Sequence, residues 1–187
     1  AFLHAGQEFG RTKQWHGEGV PEQKYHELED GNGESFGYFI HDSYDSSDAI
    51  NMFDWEKATN DEEYEVNHVT GEFTKGMIEL RKSTNAFRLG DQALVDENVS
   101  LLDFPEMQDS DLLIGYESIS TDGTGNYYVF VNADDEARSL KLGDYNFRGG
   151  EVLVDSDEAG AEAVGEQSGF EMTEEALTID PLTTVIV

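Results

Sequence analysis

The sequence predicts a mainly β chain. An antiparallel β-sandwich of about eight strands is expected over residues 91–187, preceded by a strand running out of a larger sheet, a long loop and an amphipathic helix. Three observations carry this. Short β-branched and aromatic runs recur after Asp91 between turn-rich segments, a helical period sets in at Thr70, and the stretch from residue 10 to residue 68 keeps neither period. With 187 residues, 37% hydrophobic and 11% aromatic, the chain can bury a core in spite of its charge.

In chain order, the first element is the apolar run of "FLHAGQEFGRTK" (Phe2 to Lys13), which ends in a Gly-bracketed turn and reads as a strand whose sheet neighbours lie elsewhere. Residues 10–68 hold both tryptophans and every histidine except His4, and are broken by "GEG" and "EDGNGES", so they read as a loop. Loops of more than about 15 residues are uncommon in compact domains unless they are functional or packed on something else. In "TGEFTKGMIELRKSTNAF", Phe73, Met77, Leu80 and Thr84 share one helical face, with Thr70 as N-cap and Glu72 in the first turn. Gly76 inside that helix costs about 1 kcal/mol relative to Ala, which implies the close approach of another backbone.

The strands expected after Asp91 are 99–104, 112–120, 127–132, 137–142, 151–155, 170–172, 176–179 and 183–187. In "YYVFVN", alternation sends Tyr127, Val129 and Val131 to one face and Tyr128, Phe130 and Asn132 to the other. Both faces are large and apolar, so one is expected to fill the sandwich and the other to dock on a neighbouring element.

Charge narrows the function. Lys and Arg number 11 against 41 Asp and Glu, a net charge of −30 that repels phosphate backbones and anionic headgroups, so nucleic acid and membrane insertion are not expected. Such acidity fits solubility or adaptation to salty surroundings. The absence of cysteine excludes disulfides, thiolate metal sites and a cysteine nucleophile. The five histidines lack HExxH spacing, so a catalytic zinc site is not expected. Asp42, Asp45 and Asp48 recur every third residue without the Gly and Glu of an EF-hand loop.

Four stretches, "FLHAGQEFGRTK", "HDSYDSSDAINMFDW" (His41 to Trp55), "TKGMIELRKSTNAFRLG" (Thr74 to Gly90) and "YVFVNAD" (Tyr128 to Asp134), with the closing "LTTVIV", resemble in order and spacing the C-terminal part of bacterial type I pullulanases of glycoside hydrolase family 13. The resemblance implies that residues 1–90 are the remnant of a truncated (β/α)8 catalytic barrel, namely its last strand, long loop and last helix. Residues 91–187 would be the C-terminal sandwich that steadies it. The implied parent is a retaining hydrolase of α-1,6 branch linkages in pullulan, branched starch and glycogen. Its nucleophile, acid/base and stabilising carboxylates would come from barrel strands upstream of Ala1. The chain alone is then expected to be inactive, with no catalytic residue of its own.

On the same resemblance, Gln7, Glu8 and Arg11 are either a wall of the glucan cleft or a network fixing the strand exit. Asp42, Tyr44, Asp48 and Asn51 are either contacts to sugar hydroxyls and ring faces or a loop brace. Trp15 and Trp55 are candidates for stacking on sugar, Trp55 with packing in the barrel wall as its stronger reading. No cofactor is required, although the carboxylates leave room for a Ca2+ site in the parent enzyme with unknown ligands. The expected location is a secreted or cell-surface bacterial protein, an intracellular form being left open. The competing readings are a freestanding carbohydrate-binding module, which needs an aromatic platform on the sandwich itself, and a structural β-sandwich.

Overall fold

The computed structural model describes residues 2–108, 110–145 and 147–187, and its residues cluster into two compact units, 2–71 and 72–187. No helix among the described residues is long and apolar enough to cross a membrane.

In the first unit, Phe2–Glu8 does not form the expected strand. Its backbone turns on itself: Gly6 and Gly10 take left-handed φ of 92° and 76° around a 3₁₀ turn at Gln7–Phe9. The N–H groups of Gln7 and Arg11 donate to the carbonyls of His4 and Gly6 (2.9 and 2.8 Å). A strand needs a neighbour for its ladder, and no described residue pairs with this segment.

Residues 10–68 are more ordered than a loop. Strands β1 (Tyr25–Glu29) and β2 (Ser35–Ile40) form an antiparallel hairpin in which Tyr25 faces Ile40 and His26 faces Phe39. Asp30 builds its turn, accepting at Oδ1 from the N–H groups of Asn32 (2.8 Å) and Glu34 (3.0 Å). These bonds, that from Glu34 foremost, hold the Asp30 carboxyl below the usual carboxylate range. Residues 13–15 add to the free edge of β2, with Ile40 N–H donating to Lys13 O and Trp15 N–H to Tyr38 O. Two short helices follow, α1 (Asp48–Asn51) and α2 (Trp55–Thr59), the latter capped by Asp54.

Helix α3 (Glu65–Ser83) begins five residues before the expected cap. Thr70 lies inside it, its hydroxyl donating to Val66 O (2.7 Å). The early turns escaped the periodicity because Val66 and Val69 are exposed. Glycine at position 76 meets the predicted backbone: a Cβ there would lie 1.8 Å from the carbonyl oxygen of Ala159.

In the second unit, α4 (Gln92–Asn98) is a helix ahead of the first expected strand, started by Asp91, which accepts from Ala93 and Leu94 N–H. Strands β3 (Val99–Leu101), β4 (Leu113–Ile119), β5 (Asn126–Asn132) and β9 (Thr183–Ile186) form one antiparallel sheet in the order β3-β4-β5-β9. Strands β6 (Arg138–Lys141), β8 (Ala176–Ile179) and β7 (Phe170–Met172) form another in the order β6-β8-β7. Residues 151–155, expected as a strand, make only bridges at Val154, to Ala159 and Ile186, because this buried segment shares its hydrogen bonds between β9 and the 158–164 loop.

The two faces of β5 serve two cores. Phe130 joins Leu113 and Val185 with Leu140, Leu177 and Ile179 of the second sheet, together with Phe104 and Phe147. On the other face, Tyr127, Val129 and Val131 pack with Phe73, Met77 and Leu80 of α3 and with Val154 and Ala159. The end of α3 is tied to the β4–β5 turn: buried Thr84 shares a hydrogen bond with Thr124 (2.6 Å), and Ser118 Oγ donates to Ala86 O (2.8 Å).

Candidate functional site

Within the first unit, the two groups of residues singled out in the sequence meet at Arg11. Its guanidinium donates through Nε to Met52 O (2.9 Å) and through Nη2 to Ile50 O (3.3 Å). Through Nη1 it reaches Ala5 O (3.4 Å) and His4 Nδ1 (3.2 Å). One cation therefore ties residues 4–11 to the far end of the 41–52 loop. A planar fork with five donors suits this task, and a lysine could not make all four contacts. Gln7 is exposed, its side-chain oxygen accepting from His4 N–H (3.3 Å), and Glu8 Oε2 accepts from Gly6 N–H (2.8 Å).

The loop itself folds by local bonds. Asn51 Nδ2 donates to Ser43 O (2.8 Å) and Ser46 O (3.1 Å), drawing both ends of the loop together, while Ile50 is buried beneath. Asp42 Oδ1 accepts from Tyr44 N–H (3.1 Å), an Asx turn that turns the tyrosine outward. Tyr44 is 95% exposed. Asp48 sits exposed in the first turn of α1. Arg11 and Asn51 thus spend donors on backbone carbonyls, and Asp42, Tyr44 and Asp48 present groups to solvent.

Trp15 lines a groove of about 580 Å³ with Glu18, Val20, Glu22 and Gln23, its indole N–H held by Gly19 O (3.2 Å). Trp55 is 70% exposed, with its ring against Phe53 (centroids 4.5 Å apart). Among the described residues, no three His, Asp or Glu side chains are grouped to hold a metal ion. His26 and His41, which read as scattered in the sequence, are brought to 2.7 Å of each other by the hairpin. The turn signal in "EDGNGES" between two aromatic runs could have revealed that pairing.

A mainly β chain with antiparallel sheets matches solved pullulanase modules. Residues 98–187 match the family model described as SpuA C-terminal. Over its whole length the chain is 41% identical to Pullulanase A of Streptococcus pneumoniae. It is 30% identical over 105 residues to the pullulanase of Bacillus subtilis. It superposes on the catalytic module of the multi-modular glycogen-degrading pneumococcal virulence factor SpuA with a TM-score of 0.88 at 42% identity, covering 99% of this chain and 28% of that one. The Group B Streptococcus pullulanase SAP gives 0.86 at 39% identity, covering 100% and 25%. SAP has also been solved in complex with maltotetraose. The chain is homologous to the C-terminal module of pullulanases, which are glycosidases. It spans only about 16% of the length of Pullulanase A.

Proposed function

We propose that this chain is the C-terminal part of a pullulanase-type, retaining hydrolase of α-1,6 linkages in pullulan, branched starch and glycogen. In this reading, residues 1–90 close a (β/α)8 barrel, residues 2–8 becoming its last strand once a neighbouring strand supplies the ladder, and residues 91–187 brace the barrel. The catalytic carboxylates belong to barrel strands outside this chain, so the chain contributes no nucleophile or acid. The single observation that supports this best is the whole-chain likeness to a glycogen-degrading catalytic module at 42% identity.

The exposed Tyr44 offers a ring face to a glucose unit, and Asp42 and Asp48 offer acceptors for its hydroxyls. Arg11 and Asn51 hold that loop in shape, and Gln7 and Glu8 stand at the adjoining strand exit. A secreted or cell-surface enzyme fits pullulan and starch met outside the cell, and an intracellular form fits stored glycogen. Any Ca2+ of the parent enzyme would bind through oxygen ligands. The freestanding-module reading is less well supported: the large hydrophobic residues exposed on the second unit are Leu, Ile and Val, with no aromatic among them.

The test compares reducing-sugar release from pullulan by the 187-residue chain alone and by the same chain fused behind the preceding barrel segment of Pullulanase A. The expected result is none from the first and measurable hydrolysis from the second. Tyr44→Ala in the fusion should raise KM more than it lowers kcat. Hydrolysis by the chain alone would overturn the placement of the catalytic groups.

A further inference from the structure

The proposed glucan reading leaves unused one close pair of ligating side chains, His26 and His41. His26 leaves β1 opposite Phe39, and His41 is the residue after β2 ends. Nε2 of His26 and Nδ1 of His41 stand 2.7 Å apart, with ring centroids 5.0 Å apart and planes tilted by 46°. Both rings are exposed, and both backbones are fixed. His26 is in register on the ladder, and His41 N–H donates to Lys24 O (2.9 Å) while Lys13 Nζ donates to His41 O (3.0 Å).

We propose that this pair is a two-histidine site for a late first-row divalent cation of square or octahedral preference, such as Ni2+ or Cu2+. Two imidazole nitrogens at right angles on such an ion, with bonds of about 2.05 Å, stand about 2.9 Å apart. The pair needs to open by only about 0.2 Å from its observed 2.7 Å, with rotation of two exposed rings. A tetrahedral ion would require about 3.3 Å and a larger movement.

The protons balance without an external acceptor. In the neutral pair, one hydrogen bridges the two nitrogens. On binding, it moves to the outer nitrogen of the same ring, leaving Nδ1–H on His26 and Nε2–H on His41 and two lone pairs on the metal. Water fills the remaining positions. The site ties the end of the hairpin across the entrance to the 41–52 loop, so an ion there stiffens the loop's first residue.

The experiment is calorimetric titration of the 187-residue chain with Ni2+ at pH 7.5. One equivalent should bind, at least tenfold more weakly in His26→Gln and in His41→Gln. The variant carrying His4→Gln, His16→Gln and His68→Gln together should bind as the parent does. Independently of folding in any variant, Ni2+ added to the unsubstituted chain should broaden the ring signals of His26 and His41 before those of the other three histidines. Unchanged affinity in both single variants, weak binding of many equivalents as expected from surface carboxylates, or no binding at all would each overturn the site and leave only a hydrogen-bonded pair.

Discussion

Gly76→Ala tests the packing of α3 most directly, because two effects of known sign oppose each other there. Replacing a glycine inside a helix by alanine gains about 1 kcal/mol of helix propensity. At position 76, however, the new methyl would lie 1.8 Å from Ala159 O and 2.4 Å from its carbonyl carbon. Reaching an ordinary contact of 3.4 Å requires a retreat of about 1.6 Å (3.4 minus 1.8). Ala159 cannot give that easily. It is bridged to the fully buried Val154, and the next residue donates to Leu153 O at 2.9 Å. Overpacking of this kind costs about 1–3 kcal/mol; because backbone must move here the upper end applies, and set against the gain of about 1 it leaves a net loss of about 2 kcal/mol. Gly71 in the same helix is the control: its nearest contacts would be 3.7 and 4.0 Å, so Gly71→Ala should gain about 0.5–1 kcal/mol. Urea unfolding followed by far-UV circular dichroism should move the midpoint down for the first and up for the second. Midpoints that rise for both would refute the close approach.

Three further outcomes follow from the second unit. Asn132, 1% exposed, donates through Nδ2 to the carbonyls of Glu136, Ile179 and Asp180, so Asn132→Leu should cost about 2–3 kcal/mol in urea midpoints, and a loss under 1 kcal/mol would show that water replaces it. Leu182 has φ of 54° and is 79% exposed, so Leu182→Gly should relieve strain and raise the thermal midpoint by the equivalent of about 1 kcal/mol; a fall would mean that the turn is held by the side chain. The hydrogen bond from Arg138 holds the Asp134 carboxyl below its ordinary range, so its contribution is complete above about pH 4 and fades as the pH falls through the depressed value. The stability gap between parent and Asp134→Asn should therefore close on acidification below that point, and a gap unchanged down to pH 2 would exclude the linkage.

The sandwich was legible because its signals are local and repeated. The alternation in Tyr127–Asn132 placed both cores correctly, and Gly76 announced a neighbour that proved to be the Ala159 backbone. The errors have physical causes. Residues 92–98 carry a good cap in Asp91 and strong helix formers, but seven residues are too few to show a period. Val152–Val154 are buried as strand residues should be, yet their hydrogen bonds are divided between two partners, which composition does not encode. In the first unit, the hairpin is hidden because "EDGNGES" interrupts both periods, although Asp30 and Gly33 make it a turn. The Arg11 hub was visible only as a basic residue near a glycine, since its partners are three unpatterned backbone carbonyls, the farthest 41 residues away, and the ring of His4.

The first unit also shows why its opening run carries the pattern of a strand. Phe2 is 93% exposed, Trp55 70% and Val66 78%, so these apolar side chains are not buried by the described residues. The backbone, by contrast, closes its hydrogen bonds locally at Gly6–Arg11, around Asp30 and at Asn51. A turn can be satisfied by its own residues, whereas a strand with an apolar face needs both a ladder and a cover. The proposed barrel would supply both, converting Phe2–Glu8 from turn to strand while leaving the Arg11 contacts to Ile50 and Met52 in place. The same contacts would then hold Tyr44 and Asp48 at the mouth of the barrel, which is where a glucan-binding loop has to stand.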